Sequence, residues 1–370
     1  MNANTMNVSD EIACKLELMR DALHETGAAG IRLRGTDWFA WATAGGSNTV
    51  LLAAETGVAE VLVTDDAAWI LTDEIEARRL KDEQLPRDAG YQCHISPWAQ
   101  SRDREAFVRD ATSDGKVLSD RPTPIEAALP RSLLHHRRIL LPSELERYRH
   151  VGQLASEAMT EVLTQAQPTW TEYQLAGAGA EALWARGLHP ALTLAAGDRR
   201  LPLYRHPLPS GETIGRQAML VFCARGSGLI VSLTRFVYFG GFTAEDKQLH
   251  RTIAEIEAVA LKHSQVEVPL NEVYNALTAA YEHRGYPHAI QEHHQGGTAG
   301  YGAREIVATP ETSDRLAANM VLAWNPSIPG AKIEDTFVLN ADNSLENLSF
   351  DMHFPHVEID GRLRPVPLER

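Results

Sequence analysis

MVLAWNPSIPGAKIEDT, residues 320–336, is the stretch whose reading decides the fold. An apolar run ends at Asn325, a segment with Pro326, Pro329 and Gly330 turns the chain, and a second run carries Lys332, Glu334 and Asp335. Such runs read as closing strands, near 319–325 and 332–340. Asn325 at the end of the first run and Glu334 in the second are the polar residues whose roles the rest of the chain must decide.

The bulk of the sequence bounds the answer. A chain of 370 residues, 44% hydrophobic and 23% charged, predicts two domains, because single cores stop growing near about 250–300 residues. The formal charge of −14 argues against a nucleic-acid binder, whose affinity comes from clustered Lys and Arg. The short basic runs at 199–200 and 135–138 read as solvated loops. Cys14, Cys93 and Cys223 form neither a disulfide framework nor a zinc pattern. The first residues lack a basic-then-apolar leader, and no run reaches the roughly 18 apolar residues of a membrane span. These features predict a cytoplasmic protein with no nucleic-acid and no membrane partner.

Along the chain, Ser9 and Asp10 cap a first helix whose Ile12, Leu16, Met19 and Leu23 share one face. Apolar runs in 30–35, 48–55, 59–65 and 67–73 read as strands, and 74–80 as helix. The Asp-, Pro-, Ser- and His-rich region 110–142, with turn chemistry at Ser113, Asp114 and Gly115, reads as the domain boundary. Ser143 with Glu146, and Thr169 with Glu172, read as capping boxes opening two helices. Strands near 219–222 and 229–238, helices near 243–263 and 270–284, and closing strands near 304–308, 319–325 and 332–340 follow. No short-period repeat or low-complexity tract interrupts them.

This order, with its local words, resembles the creatinase, aminopeptidase P and methionine aminopeptidase family over nearly the whole chain. Residues 30–46, GIRLRGTDWFAWATAGG, are similar to the strand and turn of creatinase-type N-domains. TEYQL at 171–175 resembles the family's Thr-Glu-x-Glu-Leu helix start, and GSGLIVSLTRF at 226–236 resembles its Gly-Tyr-x-Ser-Asp-x-Thr-Arg-Thr strand. The resemblance implies an α/β (α+β) protein with a creatinase-type N-terminal domain over 1–142 and a pita-bread domain over 143–370. It also implies a homodimer.

Family metallopeptidases hold two divalent ions with two Asp, one His and two Glu. Carried onto this chain, the second Asp falls on Ser232 and the first on Val221 or Phe222. The ligand His falls on Gly297, within HHQGGTAG at 293–300, and one Glu falls on Asn325. Only Glu334 keeps a ligand type, and one carboxylate cannot hold a dinuclear centre. The expectation is no metal and no cofactor. His206, His293 and His294 lie in turns, where clustered histidines are more often surface or hydrogen-bonded groups than ligands.

Other polar positions remain able to act. His206, in LYRHP at 203–207, matches the family's pocket histidine and is a candidate general base near neutral pH. Its plainer role is to order the turn before Pro207. Arg304-Glu305 replaces a family His-Glu pair, and a planar guanidinium there suits a carboxylate, or else an internal ion pair with Glu305 or Glu334. Glu334 is a candidate acid or base and Glu305 a candidate acid, although Lys332 is placed to neutralise Glu334. Asn325 is a candidate oxyanion donor, while Ser232, Thr234 and His293 are candidates to position water or substrate. Arg235 reads as structural. Cys223 permits a Cys and His nucleophile pair, against the commoner inert buried thiol. The glycines at 296, 297, 300 and 302 lack the Lys-Ser/Thr of a phosphate loop.

Three functions stay open. The first is a metal-independent hydrolase or lyase acting on a C–N bond of a small, carboxylate-bearing, amino-acid-derived amide or amidine. It implies His206 as base and Glu334 or Glu305 as acid. The second is a non-catalytic ligand- or peptide-binding relative, and the third a genuine metal-dependent Xaa-Pro peptidase.

Overall fold

A computed structural model describes residues 6–86 and 90–370. The chain divides into two compact units, Met1–Arg147 with Ser227–Leu229, and Tyr148–Gly226 with Ile230–Arg370. Both are mixed α/β.

The first unit is built on six strands, β1 (Gly30–Gly35), β2 (Thr56–Val63), β3 (Ala68–Asp73), β4 (Gln92–Ser96), β5 (Val117–Ser119) and β6 (Ala127–Ala128), in the order β4-β3-β2-β1-β5-β6. Consecutive β1, β2 and β3 pair antiparallel, while β3–β4, β1–β5 and β5–β6 are parallel. The helix Val8–Thr26 buries Ile12, Leu16, Met19 and Leu23, each worth about 1.5–3 kcal/mol of transfer free energy. Its cap is Asn7, whose side chain accepts from the Asp10 backbone N–H, rather than Ser9 or Asp10.

Other expectations for this unit change as well. Residues 48–55 form a loop rather than a strand, with Val50, Leu51 and Leu52 exposed at 60%, 67% and 49%. Within 74–80, helix is confined to Ala77–Arg79, followed by a wider turn at Leu80–Gln84. The region 110–142 is not a bare linker, since it contains β5, β6 and the helix Arg131–Arg138. Arg137 there is buried, 2.8 Å from Asp37 and stacked over Trp38, so the run 135–138 is not a solvated loop. Beneath this unit's surface Glu11 meets Lys15 at 2.6 Å, Ser143 at 2.6 Å and both terminal nitrogens of Arg147. Ser143 thus serves Glu11 instead of a box with Glu146.

The long helix Pro142–Gln165 enters the second unit at Tyr148, and the helix Glu172–Trp184 follows. The box opening the latter is Thr171 with Gln174, not Thr169 with Glu172. Glu172 is buried and accepts from the Gly197 and Ser210 backbones and from Arg200. Arg200 pairs with Glu172 and Arg199 with Glu212, so 199–200 is also more than a solvated loop. Next come β7 (His189–Gly197), β8 (Gln217–Gly226) and β9 (Leu229–Tyr238). Ser227 and Gly228 between β8 and β9 both have positive φ, 49° and 79°, the conformation that two-residue hairpins need.

The helices Ala244–His263 and Leu270–His283 then lead to β10 (Gly296–Ala299), β11 (Ile306–Val307), β12 (Val321–Trp324), β13 (Ser327–Ile328), β14 (Ala331–Lys332), β15 (Asp335–Leu339) and β16 (Leu345–Asn347). A sheet of order β11-β10-β12-β15-β16 packs on these helices through Ile256, Val273, Leu277, Leu322, Trp324 and Phe337. The chain closes with β17 (His356–Ile359), β18 (Arg362–Pro365) and β19 (Leu368–Glu369), the last of which joins a sheet of order β19-β9-β8-β7.

The five-stranded and four-stranded sheets are laced together, and that lacing positions the site. Thr234 N–H donates to the Glu334 carbonyl at 3.0 Å, and Ile230 N–H to the Gly300 carbonyl at 2.9 Å. Ser232 N–H donates to Thr336 Oγ1 at 2.9 Å, and that hydroxyl returns to the Ser232 carbonyl at 3.0 Å. Arg235 adds a strut, reaching Asp335 Oδ1 at 2.7 Å and the Ser349 carbonyl at 2.9 Å.

Candidate functional site

Glu334 emerges where β9 meets β15, and its carboxylate is surrounded. Arg304 donates to Oε1 at 2.7 Å, Lys332 lies 3.1 Å from Oε2, and Thr234 Oγ1 donates to Oε2 at 2.9 Å. Burial by itself would raise this acid, but Lys332 and then Arg304 outweigh it and hold its pKa at about 2. The candidate acid of the sequence reading is therefore a fixed carboxylate at neutral pH. Two cations face one carboxylate in this group, leaving an excess of positive charge. Arg304 Nε is buried without a hydrogen-bond partner, a donor that a bound anion would satisfy.

Three imidazoles adjoin this group. His206 follows a turn at 198–203, while His293 and His294 follow the short helix Ala289–Glu292. His206 Nε2 and His293 Nε2 are 2.8 Å apart, and the His293 and His294 rings stack with centroids 4.6 Å apart. Arg205 pairs with Glu292, joining the two segments one residue ahead of His206 and His293. Burial and Lys332 lower His206, burial and Lys332 lower His293 to about 2, and burial and Arg304 lower His294 to about 4. All three rings are neutral at pH 7, as a proton acceptor or a metal ligand requires.

The remaining candidates are distributed around these groups. Ser232 is buried and in reach of Arg304 at 3.3 Å and of Cys223 Sγ at 3.5 Å. Cys223 lies one residue beyond Phe222, one of the two positions to which the family's first Asp was carried. Val221 instead lies in an apolar cluster with Leu194 and Phe236. Burial and Glu334 raise the Cys223 pKa, so it is a protonated thiol beside Ser232 rather than half of a Cys–His pair. Asn325 is buried, its backbone N–H given to Gln295 and its Oδ1 without a partner. Glu305 accepts from the Gly302 N–H at 2.9 Å and lies near Tyr148. Its carboxylate shapes that turn. The Arg205–Glu292 clamp was absent from the sequence reading, the only local signal being that each residue directly precedes a histidine of the group.

The dinuclear centre expected of the family does not fit these residues. Cys223, Ser232 and Asn325 offer neutral groups, and both Glu334 oxygens are already occupied by cations that would repel an ion. At Gly297, φ is +153° and an added Cβ would lie 2.0 Å from the Ile306 carbonyl oxygen. The strand has closed over the space where an imidazole would need to start. We expect Gly297→Ala to lower stability by about 1–3 kcal/mol through overpacking, measured by urea unfolding, with no loss if the strand can spread.

Residues 146–341 match the model of metallopeptidase family M24. No curated protein matches the chain. Among solved structures, an Xaa-Pro dipeptidase from Bacillus anthracis is similar at 18% identity and TM-score 0.75, covering 92% of this chain and 98% of that one. Dipeptidase PepE from Mycobacterium ulcerans is similar at 16% identity and TM-score 0.76, covering 98% and 99%. The N-terminal domain of the FACT complex subunit SPT16 from Cicer arietinum (chickpea) shares the fold at 11% identity and TM-score 0.71, covering 92% and 96%. These likenesses establish the creatinase-type N-terminal domain and the pita-bread domain that follows it. By the match of its second half, this chain belongs to metallopeptidase family M24.

Proposed function

We propose that this chain is a small-molecule hydrolase of the M24 scaffold, working without the family's metal pair on a C–N bond of a carboxylate-bearing, amino-acid-derived amide or amidine. The observation that carries this reading is the buried pair of Arg304 and Lys332, in excess of the single carboxylate of Glu334 and with an unused N–H on Arg304. Fixed cations stand in for bound ones and supply the positive field that orients a substrate carboxylate. Water activation falls to the neutral imidazoles of His206, His293 and His294. Asn325 and Ser232 supply polar contacts. Glu334 serves as the anchor of the cations rather than as an acid. The protein acts as a homodimer, an expectation that rests on the family resemblance and is checked by sedimentation, and its three widely spaced cysteines suit the cytoplasm. No described helix is long and apolar enough to cross a membrane.

The test is to incubate chelator-treated protein with N-acyl and amidino amino acids and look for product by mass spectrometry. Turnover that falls about 10²–10⁴-fold in kcat/KM in His206→Ala is expected, the usual contribution of a positioned proton acceptor. Turnover unchanged in that variant overturns the assignment. A second reading, a non-catalytic binding protein, draws on the ion pairs that deny Glu334 a role as acid. Carboxylate-dependent thermal stabilisation without product from any amide would favour it. The third, a metal-dependent Xaa-Pro peptidase, would need donors other than the family's own set, of which only Glu334 keeps a ligand type.

A further inference from the structure

The three histidines are more than a hydrogen-bonded cluster. Each offers one ring nitrogen, and these atoms all lie within 4.8 Å of one another, a spacing that small ring rotations bring to the tetrahedral edge of a metal bound at about 2.0–2.1 Å. The donors come from two chain segments that the Arg205–Glu292 pair already holds together. Part of the ordering cost of a site is therefore met before any ion arrives. His293 is buried, whereas His206 and His294 are exposed, which gives an ion a route in and leaves one face open. Lys332 acts on all three rings and Arg304 on His206 and His294, and the ionised Glu334 offsets these cations only in part.

We infer that His206, His293 and His294 form a mononuclear binding site for a divalent ion of the zinc class, with a fourth coordination position open to solvent. All-imidazole donors select zinc, cobalt, nickel or copper over magnesium and calcium, which want oxygen. Three protein ligands with one open position is the arrangement of catalytic rather than structural zinc. The site shares no residue with the donor set of the family's dinuclear centre. An ion held here occupies the imidazoles to which water activation was assigned, while the carboxylate-binding role of Arg304 and Lys332 is untouched.

The test uses the full chain stripped with chelator and titrated with Zn²⁺ alone by calorimetry, with Co²⁺ absorption as a second readout. The expected result is one ion per chain, a visible cobalt band of tetrahedral intensity and a rise in Tm. His206→Gln and His294→Gln, both exposed positions that should not disturb folding, each weaken binding at least tenfold. Glu292→Gln weakens it by a smaller factor through loss of the clamp. His135→Gln/His136→Gln, on a surface helix of the other unit, leaves it unchanged. No saturable Zn²⁺ binding, or binding that survives His206→Gln and disappears in the His135/His136 variant, overturns the inference. Failure here with intact carboxylate binding leaves the proposed function standing, while zinc binding without any response to carboxylates removes that function and leaves the metal site.

Discussion

Replacing Glu334 with Gln should destabilise the second unit by about 3–5 kcal/mol, the usual cost of removing one member of a buried charge group. The reason is local. Arg304 and Lys332 sit 2.7 and 3.1 Å from the Glu334 carboxylate in a buried setting, and without it two cations stay out of water with no counter-charge. Gln keeps the shape and the Thr234 contact but cannot neutralise them. A small carboxylate should then act as a chemical substitute. Acetate or an N-acetyl amino acid, compared with chloride at equal ionic strength, should raise the Tm of Glu334→Gln more than that of the unaltered protein. Calorimetry on both proteins reads this directly. A loss under about 1 kcal/mol, or equal responses to acetate and chloride, would show that solvent already screens the cations.

The second large effect lies in the first unit. Glu11 is fully buried and held by Lys15, Ser143 and Arg147. Burial would raise its pKa, but the hydrogen bond and charge of Arg147, together with Lys15, bring it from 4.5 down to about 2. A carboxyl lowered in the folded state contributes stability in full above its unfolded value and loses it as pH falls through the folded one. Glu11 therefore stabilises the unit above about pH 4.5, on the order of 3 kcal/mol from the size of the shift, and the contribution fades between pH 4.5 and 2. Glu11→Gln should cost about 3–5 kcal/mol at pH 7 and much less near pH 2. Denaturant melts of both proteins at several pH values check this, and a pH-independent difference would contradict it.

Much of the architecture could be read from the chain because it rests on local signals. The long amphipathic helices and the closing strands carry their periods in the sequence, and Ser232, Asn325, Gly297 and Glu334 are found by spacing from recognisable words. What failed depended on pairing. The apolar run at 48–55 lacks the alternation of a half-buried strand and finds no partner, so it stays a loop. The neighbour of Ser232 could not be counted along the chain, because it depends on the two-residue turn at Ser227 and Gly228 that brings Cys223 across from it. The sequence left Arg304 open between a substrate carboxylate and an ion pair with Glu305 or Glu334, and the fold puts it on Glu334. The imidazole group is the plainest case. His206 and His293 are 87 positions apart, and only the closure of the unit, fastened by Arg205 and Glu292, makes them neighbours.

Metal stoichiometry tests the central claim, that fixed cations have taken the place of the family's ion pair. The chain would be loaded separately with Mn²⁺, Co²⁺ and Zn²⁺, dialysed, and its ions counted by elemental analysis, with Xaa-Pro dipeptide cleavage assayed on the same samples. The account predicts no more than one ion per chain, sensitive to His206→Gln, and no dipeptide cleavage gained with it. Two ions per chain, with Xaa-Pro cleavage that appears as they bind, would contradict it.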